Sequence, residues 1–293
     1  MAKKAQSNKE EGSAPALGGV FMLIVDAHTH VYPDKIALRA VKGIGDFYDI
    51  PMVEDGTAHT LLKRMREAGV DHAVISSCAT TPEQVSHINA FIASCVEDTP
   101  RKFTGLGTLH PLSTKLEEDV EQIIRLGLHG VKMHHDFQKF RVDDPRCMKI
   151  YELLSGRLPI LLHTGDKRYD YTNPDRVEPV LKAFPNLQVI GAHLGGWSIW
   201  DKAVDRLAKY ENFFVDCSST LYAVTPEKAC EVIRHYGTER VMFGTDYPMW
   251  NASDEMERFE RLGFTGRERD MILGENALRI YGIDRAVMED NLQ

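Results

Sequence analysis

A single (β/α)8 barrel is the fold this sequence predicts, and three observations predict it. Short apolar or β-branched runs begin near Leu23, His72, Phe103, Gly130, Pro159, Leu187, Phe213 and Arg240, and from His72 onward they recur roughly every 26 to 31 residues, the length of one strand-helix unit. Segments of helical period lie between them, which implies parallel strands joined by crossover helices. Five runs end in residues that can bind a metal or move a proton, and a closed barrel brings the ends of strands one, four, five, six and eight to one mouth. A doubly wound open sheet is the alternative, but there the first and eighth strands would rarely sit close.

The elements follow in order. The first strand is Leu23-Ile24-Val25-Asp26-Ala27-His28-Thr29-His30. Residues 31–57 read as a long connection, with Pro33, Gly43, Gly45 and Pro51 as breakers. That length suggests a lid or pocket wall carrying Phe47 and Tyr48, with irregular packing over the mouth as the other reading. A helix is expected over 57–68, with Leu61, Leu62 and Met65 on one face and Gly69 at its end. Helical period continues over 82–97, 114–126, 145–154, 175–184, 200–210 and 226–235, several segments opening with Ser, Thr, Asp or Asn next to Pro. Two further helices, 253–262 and 265–281, close the chain. Residues 1–21, polar and then rich in Gly, Pro and Ala, read as a disordered leader or an appended segment, with Met22 as a candidate start. Residues 22–283 form the barrel domain and 284–293 a tail.

Composition narrows the function classes. The chain has 293 residues, 43% of them hydrophobic, enough for a full core, and its formal charge of -8 argues against nucleic acid as a partner. No uncharged stretch approaches the roughly 20 apolar residues that span a bilayer, so a cytoplasmic protein with a small-molecule substrate is expected. Five scattered cysteines without a C-x-x-C pair fit buried thiols in a reducing compartment.

The strand ends carry the chemistry. His28 and His30 are two residues apart, which on a strand turns both imidazoles to one face. With His163 and Asp246 they supply the nitrogen and carboxylate ligands that zinc and similar divalent ions prefer, leaving a position for water. That water could attack an electrophilic carbon. His193 is then a spare imidazole for acid-base work. Lys132 has three readings: it binds a substrate carboxylate or carbonyl, it is carboxylated into a bridge between two metals with His193 on the second, or it makes a structural salt bridge. His134 and Gln138 follow on the same wall. Asp216 reads as structural, His110 as a residue that could reach the mouth, and His59, His72, His87, His129 and His235 as surface or packing residues. Arg168 and Tyr169, in the loop after strand five, suit recognition of a carboxylate or ring. Trp197, Trp200, Tyr222, Tyr247 and Trp250 could form an apolar rim.

Together Asp26-x-His28-x-His30, Gly130-x-Lys132-x-His134, His163-Thr164-Gly165, Ala192-His193-Leu194-Gly195-Gly196, Gly244-Thr245-Asp246-Tyr247-Pro248 and Asn276-Ala277-x-Arg279 resemble the amidohydrolase superfamily. More closely, they resemble the amidohydrolase-related branch that contains aminocarboxymuconate semialdehyde decarboxylase and many uncharacterised hydrolases. The resemblance implies a single Zn2+ or another divalent ion such as Mn2+ on His28, His30, His163 and Asp246, with His193 as acid/base. The Lys132 motif also resembles that of urease and dihydroorotase, which implies a second metal and Asp246 as the base. Barrels of this kind are often dimers or tetramers, so a homo-oligomer is expected.

Hydrolysis of an amide, ester or lactone in a small anionic molecule is the leading expectation. Asp26 opens the first motif and the catalytic domain is compact, whereas decarboxylases of that branch are often longer. The alternative is a lyase that removes carbon dioxide without oxidation from a small unsaturated or aromatic acid, His193 protonating the carbon. A barrel that only binds ligand has little use for the complete donor set.

Overall fold

A computed structural model describes residues 23–286, so the expected leader and most of the tail lie outside the described residues. Eight parallel strands run in sequence order: β1 Val25–His30, β2 His72–Ser76, β3 Phe103–Gly105 resuming as Gly107–Thr108, β4 Val131–Met133, β5 Ile160–Leu162, β6 Val189–Gly191, β7 Phe213–Asp216 and β8 Val241–Met242. The third strand breaks at Leu106, where pairing passes from β2 to β4: Leu106 N–H donates to Ile75 and Gly107 N–H to Gly130. The barrel closes beyond β8, through Ala27 N–H to Phe243 O, Asp246 N–H to His28 O and His30 N–H to Tyr247 O, at 2.7 to 2.9 Å. It is a TIM barrel.

Two apolar layers follow from strand alternation. Val25, Ala27, Val74, Leu106, Leu161, Ile190, Phe214 and Met242 fill the interior, and Leu278 and Tyr281 join this cluster. A larger cluster, including Ile75, Val131, Ile160, Val189, Val215 and Val241, lies between strands and helices. Helix α2 (Ala58–Ala68) begins on the Thr57 side chain, which accepts from Thr60 N–H, and stops at Gly69 in the left-handed conformation. Helices α3 (Val85–Asp98), α4 (Leu116–Arg125), α6 (Pro145–Leu154), α7 (Pro174–Ala183), α8 (Trp200–Leu207), α9 (Pro226–Tyr236) and α10 (Ala252–Glu260) occupy the expected places. The short α5 (His135–Gln138) was not expected. Among the described residues no helix is long and apolar enough to cross a membrane.

Two expectations are corrected. Most of the connection 31–57 is not irregular: Asp34–Tyr48 forms helix α1, fifteen residues long, burying Ala37 and Val41. Gly43 and Gly45 were read as breakers, but a glycine costs a helix only about 1 kcal/mol, which tertiary packing readily offsets. The helix does carry Phe47 and Tyr48 to the mouth. The closing helix, expected over 265–281, is divided into α11 (Gly266–Asp270), a π turn (Met271–Glu275) and α12 (Asn276–Tyr281). Within the π turn a Cβ on Gly274 would meet the Leu23 carbonyl oxygen at 2.1 Å, so glycine is what lets this turn rest on the first strand.

Glu255 on α10 is buried, with one carboxylate oxygen paired to Arg258 and the other without a partner. Burial pushes its carboxyl up to about 7 despite Arg258. A carboxyl that holds its proton more tightly when folded loses stability as pH rises from its unfolded value of about 4.3 through 7. Glu255→Gln should therefore raise the unfolding free energy at pH 8 by about 1–3 kcal/mol and change it little at pH 4.5, as read from urea denaturation at the two pH values.

Candidate metal centre

Alternation also positions the site. Leu161 and Phe214 fill the barrel interior, so His163 and Asp216, two residues further on, share the inward face. Lys132 lies between Val131 and Met133, which face the helices, and therefore points inward. The first strand needs an irregularity: Val25 and Ala27 are interior residues, yet His28 and His30 also line the mouth. The β1–β2 register shifts between Asp26 and Thr29, which reconciles the two. His193 and Asp246 leave alternation altogether, with φ of 60° and 61° in the left-handed region. Such backbone costs a non-glycine residue on the order of 1–3 kcal/mol and collects at functional sites.

These ends meet in one cavity of about 820 Å3, whose lining includes His28, His30, Lys132, His134, His163, His193 and Asp246. His28 Nε2 lies 3.1 Å from His30 Nε2, and Asp246 Oδ1 lies 3.5 and 3.4 Å from them. The other ring nitrogens are committed. His28 Nδ1 donates to Asp216 Oδ2 at 3.0 Å, and His30 Nδ1 faces Ser76 Oγ at 3.2 Å, whose own proton goes to the Thr29 carbonyl. Both Nε2 atoms are therefore acceptors facing each other, with Lys132 Nζ 2.9 Å from that of His28, and a divalent ion would take both lone pairs. With the carboxylate beside them, this donor set fits a divalent ion.

Charge follows the same logic. Burial pulls the His30 imidazole down to about 4, against the pull of the Asp246 carboxylate, so the ring is neutral and free to ligate at pH 7. Burial alone would raise Asp246 and Asp216, but the neighbouring histidines outweigh it and hold both below the usual carboxylate range. Lys132 is buried with Nζ 2.9 Å from His28 Nε2, and burial draws its ammonium down, against the attraction of Asp246 and Asp216. Among the described residues no carboxylate lies within salt-bridge distance of Lys132 Nζ, so the structural salt bridge is not formed.

His163 stands one step away from this trio. Its Nδ1 is 3.0 Å from His193 Nε2, and its Nε2 is 3.3 Å from Asp136 Oδ2. His193 Nδ1 donates to the Ser218 carbonyl at 3.0 Å, so its Nε2 is an acceptor. Burial pulls His193 down to about 4 and holds His163 well below the usual imidazole range, while burial pushes Asp136 up to about 7. Both oxygens of Asp136 lack a hydrogen-bond partner, so the carboxyl is near His163 without being bonded to it. Tyr48, from α1, adds its hydroxyl at 2.8 Å from His134 Nε2, and the His134 ring stacks on His163 with centroids 4.2 Å apart.

Sequence reasoning missed Asp136, buried beside His163, and undervalued Asp216, which orients His28. The position of Asp216, two residues beyond an interior Phe214 at a strand end, was a usable signal. That of Asp136, inside an unexpected helical turn, was not. Arg168 and Tyr169 do not line the cavity, contrary to expectation. The Arg168 guanidinium is bound by buried Asp166 on two sides and by the Phe47 carbonyl, and it packs on Phe47, Tyr48, Tyr169 and Trp197. It buttresses the end of α1. His110 packs edge-on against Phe140 outside the cavity lining. The expected aromatic rim is used between loops, Trp200 donating to the His193 carbonyl and Trp250 to Ser219 Oγ, each at 3.0 Å.

The chain is similar to proteins of named activity along most of its length. It is 23% identical to 2-amino-3-carboxymuconate-6-semialdehyde decarboxylase of Dictyostelium discoideum, covering 89% of this chain and 92% of the relative. Among solved structures, 5-carboxyvanillate decarboxylase of Sphingomonas paucimobilis superposes with a TM-score of 0.70 at 18% identity, over 90% of this chain and all of the other. A dihydroxybenzoic acid decarboxylase of Polaromonas sp. JS666, solved with bound manganese and 2-nitroresorcinol, gives 0.69 at 17% identity, over 90% and 98%. These likenesses bear out the barrel. The amidohydrolase family model matches residues 25–283, and the chain, which carries the strand-end histidines described above, belongs to the amidohydrolase family.

Proposed function

We propose that this barrel is a divalent-metal-dependent, non-oxidative decarboxylase, a lyase for a small unsaturated or aromatic carboxylic acid. The observation that carries the reading is His193. It is a neutral imidazole held out of strand alternation, its ring centroid 5.3 Å from His28, outside the facing Nε2 pair yet beside it. Such a group serves proton transfer better than it serves ligation. The named activities of the relatives support the lyase, and hydrolysis of an amide, ester or lactone, the leading expectation from sequence, gains no support from them.

His28, His30 and Asp246, with His163 as the fourth ligand, would hold one Mn2+ or Zn2+; the Polaromonas relative supports manganese. When bound, such an ion draws in the substrate carboxylate with a neighbouring oxygen and stabilises the negative charge that develops. Lys132, buried at the same floor, faces that anionic end. His193 carries a proton to the carbon as its bond to the carboxylate breaks; the bonding pair stays on that carbon, takes the proton, and carbon dioxide leaves. Each turnover consumes one proton, which His193 Nε2 takes up from solvent through the mouth of the cavity. Asp246 offers Oδ1 to the centre while Ser219 Oγ donates to its Oδ2 at 2.6 Å, which fixes the carboxylate orientation.

Incubating the purified protein with a panel of aromatic and unsaturated acids in heavy water should release carbon dioxide and leave deuterium on the former carboxyl carbon. Turnover of lactones, esters or amides without carbon dioxide would overturn the reading. His28→Ala or Asp246→Ala should lose bound metal and activity together by elemental analysis, and retained stoichiometric metal would refute the ligand assignment. His193→Asn should keep one metal equivalent while turnover drops about 10² to 10⁴-fold; loss of half the metal would instead mean a two-metal centre bridged by carboxylated Lys132. Asp216→Asn should weaken metal affinity about 10 to 100-fold, measured by chelator competition, through loss of the bond that orients His28.

A further inference from the structure

Helix α1 is apolar on two faces, and the barrel explains only one of them. Ala37 and Val41 are buried against the protein. Ile36, Ala40, Ile44 and Phe47 form a second stripe at helical spacing, none of them buried, with Ile36 40% exposed, and all four line the cavity. Ile88 and Phe91, one turn apart on α3, line the same cavity. A surface helix ordinarily keeps its second face polar. This stripe is continuous with the floor formed by His28 and Asp246, since one cavity of about 820 Å3 includes both. That volume lies toward the upper end of the roughly 300–1,000 Å3 of small-molecule sites, far more room than a single-ring acid fills.

Resting on the decarboxylase reading for which end of the substrate meets the floor, we infer that the substrate is an amphipathic acid. Its carboxylate lies at the His28–Asp246 floor, and an uncharged alkyl or aryl arm of several carbons runs along the wall between α1 and α3. Burying that arm supplies binding free energy without touching the reacting groups. It also sets which end of the molecule faces His193, because a charged end laid against Ile36, Ala40, Ile44, Ile88 and Phe91 would lose hydration that these side chains cannot replace, whereas the charged Arg39, Glu83 and Lys139 that also line the cavity are exposed to solvent.

The test is calorimetric titration of the metal-loaded, full-length protein with benzoate, 4-ethylbenzoate, 4-butylbenzoate and 4-hexylbenzoate, which reads binding without turnover. Each added methylene should tighten binding roughly threefold to fourfold until the arm reaches the opening. Ile36→Asp and Ile88→Asp should each flatten this dependence, bringing the ratio of 4-butylbenzoate to benzoate affinity toward one. Ile36→Ser, at an exposed position that folding does not rely on, should do so to a lesser degree. Affinity independent of arm length, or an unchanged dependence in the aspartate variants, overturns the inference. So does conversion of an oligomer to a monomer by Ile36→Asp in sedimentation velocity, which would assign the stripe to a second copy of the chain. Length-dependent binding with no carbon dioxide from any acid would sink the decarboxylase reading alone, and carbon dioxide release without length dependence would sink this one alone.

Discussion

Two imidazole nitrogens with lone pairs aimed at each other across 3.1 Å constrain everything around them. A divalent cation would take both lone pairs, Lys132 Nζ reaches one of them at 2.9 Å, and the surroundings keep both nitrogens aimed at the same point. Asp216 and Ser76 take the opposite ring nitrogens and fix both tautomers. Asp246 supplies negative charge from a backbone conformation that only a tightly determined loop would maintain. Asp26 accepts Thr245 N–H at 2.9 Å and the Thr245 hydroxyl at 2.6 Å, tying the segment that carries Asp246 to the strand that carries both histidines. The closure of the barrel and the assembly of the centre are therefore one event, because the hydrogen bonds from β1 to residues 243–247 do both.

A second division of labour runs across the cavity. Its floor is built from strand ends, whose short reach and fixed alternation deliver polar groups to within hydrogen-bond distance of one another. Its wall is built largely from α1 and α3, which contribute an apolar stripe, Arg39 and His87, and through Tyr48 a hydroxyl that reaches His134 and His163. Arg168, clasped by Asp166 and stacked on Phe47 and Tyr48, holds the end of α1 over the floor. The polar floor and the mainly apolar wall thus come from different layers of the fold, and the stacked rings of His134 and His163 lie where they meet.

The sequence by itself determined the barrel, because eight apolar runs at a steady spacing with amphipathic segments between them have few other solutions. It also determined which strand ends matter: histidines two apart on a strand, or a histidine or aspartate just past an apolar run, can only point into the mouth of such a barrel. What it could not convey were features that arise from contacts far apart in the chain. The helix over 34–48 forms although its glycines argue against it, since tertiary packing is worth more than local propensity. Arg168 looked free for a substrate until Asp166 and the Phe47 carbonyl were seen to claim it. His163 was read as a member of the ligand set, but that its ring nitrogens also lie 3.0 Å from His193 and 3.3 Å from Asp136 was decided by which side chains surround it. Local pattern sets the direction in which a side chain leaves the backbone; only the packed structure decides which partner is waiting there, because most partners come from strands and helices distant in the chain.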